Sequence, residues 1–221
     1  FELGPPETMA TILVRAASTA AILALTLAGC ASHVKEEFTV TNQKPAEKRN
    51  PAPDFTLKDA DGKTVKLSDY KGKLVVLEWF NPDCPYIVKH HKTNTTFNDL
   101  YTQYNSKDVV FLAINSSAAG KQGHGEKHNQ EKKAEYKMEY PILLDETGTV
   151  GMAYGAKRTP TCYVINKDGV IAYMGAIDNN TDPEKVGDKN YVKLALDEIL
   201  AGKSVSTTKS DSYGCGVKYA K

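Results

Sequence analysis

Seven residues, Leu74-Val75-Val76-Leu77-Glu78-Trp79-Phe80, run into Asn81-Pro82-Asp83 and then into Cys84-Pro85-Tyr86-Ile87-Val88. The apolar run suits a strand buried on both faces, and Asn-Pro-Asp is turn chemistry. The residues that follow read as a helix start. A buried strand feeding a helix through a tight turn restricts the chain to a layered α/β architecture. The same unit puts Cys84 where unpaired backbone N–H groups favour a negative charge. Three residues on, about one helical turn away, stands Ile87 and no second thiol.

The rest of the chain fills in the layers. Ile87, His91, Asn94, Phe97, Tyr101 and Tyr104 recur at helical spacing and predict one helix over residues 84–104. Residues 108–115 read as a second buried strand, 120–138 as a charged, partly helical stretch, and 140–145 as a short extended segment. Residues 149–154 predict a small helix closed by Gly155. Two strands, 161–166 and 170–174, are joined by the hairpin signal Lys167-Asp168-Gly169. Residues 191–200 form a last amphipathic helix with Gly202 just past its end. Ahead of these, Asp54-Phe55-Thr56-Leu57, the turn Asp61-Gly62 and Thr64-Val65-Lys66-Leu67 suggest an N-terminal β-hairpin. The order predicts an α/β fold: a central mixed β-sheet flanked by helices on both faces.

A chain of 221 residues has room for one such domain and extensions. Its net charge of +1 gives no reason to expect a nucleic-acid partner. Residues 1–8 precede Met9 and are set aside as a gene-model extension. From Met9 a short positive leader ends at Arg15, and the 14 residues 16–29 carry no charge. That run is short of the roughly 20 residues needed to span a bilayer, and 9–30 reads as an export signal. Its ending, Leu27-Ala28-Gly29-Cys30, resembles the lipobox of bacterial lipoproteins. The resemblance implies lipid attachment at Cys30 and a membrane-anchored protein of the cell envelope, facing periplasm or exterior. Residues 31–50 are polar and read as a flexible tether. The domain is expected over 51–205, and a polar tail with Cys215 over 206–221.

Beyond Cys30 the cysteines are Cys84, Cys162 and Cys215, and an exported location permits disulfides. Cys162, in an apolar strand, reads as a core thiol, with partnership to Cys84 as the alternative. Eleven extended residues from Ser204 to Cys215 reach about 36–40 Å, enough to return to Cys84. A helix N-terminus stabilises an adjacent anion by about 0.3–1 kcal/mol, up to about 2 in partly buried sites, and a further fall in the Cys84 pKa needs a nearby cation. Arg158 is the first choice, with Lys89 and His90 behind it. Glu78 is either solvent-facing or a buried acid able to exchange protons. His124 and His128 stand four apart as metal pairs do, but Gly123 and Gly125 weaken a helix there and a solvated segment is expected. Cys84 and His91 would lie about 10 Å apart along a helix, too far to share a metal. No metal and no cofactor is expected.

Four segments in order resemble the thioredoxin fold and, within it, the redoxin family of alkyl hydroperoxide reductases and thiol-specific antioxidant proteins. They are Ala52-Pro53-Asp54-Phe55 with Leu67-Ser68-Asp69-Tyr70-Lys71-Gly72-Lys73; the strand and turn leading to Cys84; Tyr140-Pro141-Ile142-Leu143-Leu144-Asp145 with Tyr154-Gly155; and Arg158-Thr159-Pro160-Thr161 with Asp168-Gly169. The resemblance covers about residues 51–204. It implies a cis peptide at Pro160 facing the active thiol, substrate positioning by Thr159 and Pro160, and proton relay by Glu78. Two departures stand out. Dithiol thioredoxins have a cysteine at the Ile87 position, and typical peroxiredoxins have Pro and Thr where this chain has Leu77 and Asn81. The Cys84-Pro85-Tyr86 start and the terminal Gly214-Cys215-Gly216-Val217-Lys218-Tyr219 resemble a peroxiredoxin-like branch of exported redoxins.

The resemblance therefore implies a thiol oxidoreductase with peroxiredoxin-like antioxidant activity. Cys84 would attack a peroxide or disulfide, Cys215 or an external thiol reductant would resolve the product, and Arg158 would stabilise the thiolate. Two other classes stay open at this point: a copper chaperone using Cys84, Cys215 and a histidine as soft ligands, and an interaction domain without chemistry.

Overall fold

The computed structural model describes residues 50–220. The extension, the signal, Cys30 and nearly all of the tether lie outside the described residues. The strands are β1 (Thr56–Asp59), β2 (Thr64–Lys66), β3 (Leu74–Trp79), β4 (Val109–Asn115), β5 (Ile142–Leu144), β6 (Arg158–Thr159), β7 (Cys162–Ile165), β8 (Ile171–Gly175) and β9 (Cys215–Gly216). The helices are α1 (Pro85–Val88), α2 (Thr96–Tyr104), α3 (Glu126–Glu135), α4 (Thr149–Tyr154) and α5 (Tyr191–Leu200). Seven strands form one mixed sheet in the order β2-β1-β5-β4-β3-β7-β8, and β6 and β9 form a separate ribbon. Strands β3, β4 and β5 run parallel, while β1, β2, β7 and β8 join them antiparallel.

The fold is the predicted one, and alternation along β3 shows why it has two covered faces. Leu74 and Val76 pack against α1, α2 and α5 through Ile87, Phe97, Leu100, Val192 and Leu196. Val75, Leu77 and Trp79 pack on the opposite face against Phe55, Leu67 and Tyr154. A period of two puts Glu78 on the first face, under α1. The N-terminal hairpin closes as its sequence suggested. Asp59 Oδ1 accepts the N–H groups of Asp61 and Lys63 at 3.0 and 2.8 Å, and Gly62 takes the left-handed conformation at φ +82.

One expectation is corrected here. The single helix over 84–104 is interrupted: α1 is only four residues, the chain opens into a π turn at Lys89–Thr93, and Asn94 is extended. Asn94 closes that turn twice on the Lys89 carbonyl, with its N–H at 2.9 Å and its Nδ2 at 3.1 Å. The physical reason is a crowd of consecutive inward-facing polar residues. Lys89, His90 and His91 are all buried, and a regular helix spreads three neighbours over too wide an arc to bury all of them, whereas a π turn does not.

The polar C-terminal segment, which the sequence showed long enough to return to Cys84, is sewn to the domain. Ser210 pairs with Met174 along the edge of β8, Tyr219 donates to the Ala156 carbonyl at 2.7 Å, and Ala118 donates to the Lys218 carbonyl at 2.9 Å. Its polar composition hid this because the segment is held by backbone and hydroxyl hydrogen bonds, with little apolar surface to signal burial. We call residues 204–220 the strap.

Candidate active site

The turn before Cys84 is fixed by Asn81, whose Oδ1 accepts the Asp83 N–H at 3.0 Å and whose Nδ2 donates to the Gln122 carbonyl at 3.1 Å. The backbone of Gly123 comes so close that a Cβ there would meet the Asn81 side chain. Cys84 then caps α1 in an extended conformation, and its carbonyl accepts the N–H groups of Ile87 and Val88, each at 2.9 Å. Its thiol is fully buried and donates to the Thr159 carbonyl at 3.2 Å. The Thr159–Pro160 peptide is cis, as the resemblance implied. The Thr159 hydroxyl is buried and has no hydrogen-bond partner among the described residues.

The strap brings the distant thiol to this point. β9 pairs antiparallel with β6, and Cys215 stands opposite Thr159 in the register. Burial, followed by the influence of Cys84, pushes the Cys215 pKa up to about 11. Lys218 and Arg158 oppose that rise. Arg158, expected beside Cys84, is exposed and donates to the Gly214 carbonyl at 3.3 Å, so its charge bears on Cys215 and on the strap backbone. Gly214 makes the approach possible. Its φ is +102, and a Cβ there would lie 2.1 Å from the Thr159 oxygen.

Gly214→Ala is therefore expected to lift β9 off β6 while sparing the seven-stranded sheet. Left-handed strain of about 1–3 kcal/mol predicts roughly ten- to hundredfold faster alkylation of Cys215 by iodoacetamide. An unchanged alkylation rate, with the fold intact, would show that this contact does not hold the strap.

Glu78 is the buried member of its two alternatives. Its Oε1 bonds His91 Nε2 at 2.8 Å, and Oε2 accepts from the Tyr140 hydroxyl at 3.4 Å. His91 stacks on Phe97 with ring centroids 4.9 Å apart, and its Nδ1 has no partner among the described residues. Cys162 is paired with Glu78 across β3 and β7. Burial first, then Glu78 and Asp178, hold its pKa well above the ordinary thiol value. That suits an inert core thiol. Lys89 and His90, the other cation candidates, turn to a second cluster. Lys89 Nζ donates to the carbonyls of Asn180 and Asp182 at 2.7 and 2.9 Å and lies 3.8 Å from Asp178 Oδ1. His90 Nε2 bonds the Tyr213 hydroxyl at 2.9 Å. His124 and His128 pair with different carboxylates, Glu146 and Asp83. Among the described residues no three His, Cys, Asp or Glu side chains are grouped to hold a metal ion.

Sequence reasoning missed His91, Asp178 and Tyr213. The Lys89-His90-His91 triplet gave no warning of its burial, because three consecutive polar residues also suit the solvent face of an amphipathic helix.

The Redoxin family model matches residues 47–192. The chain belongs to the Redoxin family. This redoxin is 27% identical over 150 residues to the thiol-disulfide oxidoreductase ResA of Bacillus thuringiensis, covering 68% of this chain and 82% of that one. It is 32% identical over 145 residues to the chloroplastic peroxiredoxin Q of Triticum aestivum, covering 60% of this chain and 59% of that one. A crystal structure of an uncharacterized conserved protein from Geobacillus kaustophilus superposes with a TM-score of 0.69 at 30% identity, covering 78% of this redoxin and 92% of that chain. Membership and relatives together support a thiol-dependent oxidoreductase role. Among the described residues no helix is long and apolar enough to cross a membrane.

Proposed function

We propose that Cys84 is the nucleophile and Cys215 the resolving thiol of a two-cysteine redox cycle. The carrying observation is the β6–β9 pairing, which sets Cys215 opposite the residue whose carbonyl accepts the Cys84 thiol. With a hydroperoxide, the Cys84 thiolate attacks the terminal peroxide oxygen and the O–O bond breaks. The leaving alkoxide takes a proton, and Cys84 becomes a sulfenic acid, oxidised by two electrons. Cys215, as thiolate, then attacks the Cys84 sulfur, forming the disulfide and releasing hydroxide, which is protonated to water. With a disulfide substrate the first attack instead gives a mixed disulfide, which Cys215 resolves by expelling the second thiol. An external thiol reductant returns both cysteines.

The neighbouring residues support this cycle. Thr159, whose carbonyl accepts the Cys84 thiol, also has a buried hydroxyl without a partner among the described residues, suited to orienting a substrate together with Pro160. The charge of Arg158 favours the Cys215 thiolate that the second step needs. Glu78, joined to His91, is the buried acid available for proton exchange. The leader and the lipobox at Cys30 support attachment to the cell envelope through a lipid anchor.

Intact mass after one equivalent of hydrogen peroxide tests the reading. Wild type is expected to lose two hydrogens by forming the Cys84–Cys215 disulfide, and Cys215→Ser to gain one oxygen at Cys84. Oxidation elsewhere with Cys84 untouched would sink the proposal.

A further inference from the structure

The strap has to place one sulfur against another, and β6–β9 is only two residues long on each side. Two residues before Cys215 stands Tyr213, whose hydroxyl has every hydrogen-bonding capacity in use. It donates to Asp178 Oδ1, is 2.9 Å from His90 Nε2, and is 3.4 Å from Lys89 Nζ. Burial, the largest influence on His90, pushes its pKa down to about 3, so the ring is neutral. A neutral imidazole has one donor nitrogen and one acceptor nitrogen. The Tyr213 proton is committed to Asp178, so His90 donates from Nε2 and accepts at Nδ1 from Thr96 Oγ1, 3.2 Å away. One hydroxyl thus joins the strap to the π turn that follows α1 and to the loop containing Asp178. Its ring also packs against Tyr86, two residues after Cys84, with centroids 5.5 Å apart.

We propose that Tyr213 is a positioning residue for the resolving step: its buried anchorage to Asp178, His90 and Lys89 holds the strap in the register that sets the Cys215 sulfur against Cys84. The inference rests on the reading of Cys215 as the resolving thiol. Attack on the substrate by Cys84 needs no group on Tyr213, whereas attack by Cys215 on oxidised Cys84 needs the strap in place. The anchor therefore acts on the second step alone.

Single-turnover kinetics separate the steps, with hydrogen peroxide or 2-hydroxyethyl disulfide as oxidant, whichever reacts at Cys84. Alkylation-quenched mass spectrometry reads Cys84 oxidation and disulfide formation as separate phases. Tyr213→Phe is expected to leave the first phase unchanged and to slow the second by about tenfold, the equivalent of one lost hydrogen bond to a charged group. The oxidised Cys84 intermediate should accumulate. Tyr219→Phe, which removes a strap hydrogen bond at Ala156, should leave both phases as in wild type. His90→Gln provides a second perturbation of the same anchor and should repeat the Tyr213→Phe pattern. A second phase at the wild-type rate in folded Tyr213→Phe and His90→Gln would overturn the inference, as would equal slowing by Tyr219→Phe. If wild type forms no Cys84–Cys215 disulfide, or neither oxidant reacts at Cys84, the underlying reading fails and the inference falls with it.

Discussion

Serine in place of Cys84 is expected to abolish oxidant consumption, lowering the rate by on the order of 10³ or more, as removal of a nucleophile does in other enzymes. Serine has nearly the same size, and the Cys84 thiol donates to the Thr159 carbonyl, while the Ile87 and Val88 N–H groups bond the Cys84 backbone carbonyl, which the substitution leaves in place. A hydroxyl can make the same bond to the Thr159 carbonyl, so the fold should be kept while the ionisable, polarizable sulfur is lost. The control thiols sharpen the result. Cys162→Ala should retain most of the activity, because that thiol is buried and held protonated by burial, Glu78 and Asp178. Cys215→Ser should consume one equivalent of oxidant quickly and then turn over only as fast as the external thiol reaches oxidised Cys84. Steady-state peroxide or disulfide turnover with an external thiol reads all three. Residual turnover of Cys84→Ser within tenfold of wild type would move the reaction to another residue.

Alanine in place of Asp178 is expected to cost about 3 kcal/mol of unfolding free energy, a large share of a domain's total stability. Asp178 and Lys89 have side chains 2% and 0% exposed. Removing the carboxylate leaves a buried ammonium without its counter-charge and leaves Tyr213 without its acceptor. It also strips the Gly187 N–H of its partner at 2.6 Å. The cost falls at the low end of the range for a broken buried pair because Lys89 Nζ keeps the carbonyls of Asn180 and Asp182. The double substitution Asp178→Leu with Lys89→Met removes both charges and should cost less than the two single changes added together. Urea unfolding of wild type, Asp178→Ala, Asp178→Leu, Lys89→Met and the double variant checks this. Additive single changes, or an Asp178→Ala cost under about 1 kcal/mol, would mean the pair is solvated in solution.

Legibility differed by element for physical reasons. α4 and α5 matched their expected bounds because glycines ended both: Gly155 takes φ +67 just past α4, and Gly202 takes φ +69 two residues past α5. β3 and β4 were legible as apolar runs, since central parallel strands bury both faces. Helix periodicity failed over residues 84–104, where three consecutive polar side chains are all buried, Lys89 and His90 toward Tyr213 and Asp178 and His91 on Glu78, in a π turn. Glu78 was recognisable as out of place in an apolar strand, but its two alternatives were separated only by His91 arriving from the next segment. Arg158 was legible as a cation near the cis-proline turn; that its charge serves Cys215 depends on where the strap runs.

By itself the sequence determined the layered α/β fold, the place of Cys84 at a helix start and the absence of a thiol at position 87. All three are carried by local patterns of apolar spacing, turn residues and motif order. What only the tertiary structure decided is which thiol meets Cys84. Cys215 lies 131 positions away, and a polar strap with no periodicity carries no local record of its path. That path is set by contacts between residues far apart in the chain: Thr159 with Cys215, Gly214 against the Thr159 carbonyl, and Tyr213 in the pocket of Asp178, His90 and Lys89. Each needs the sheet already formed to exist at all.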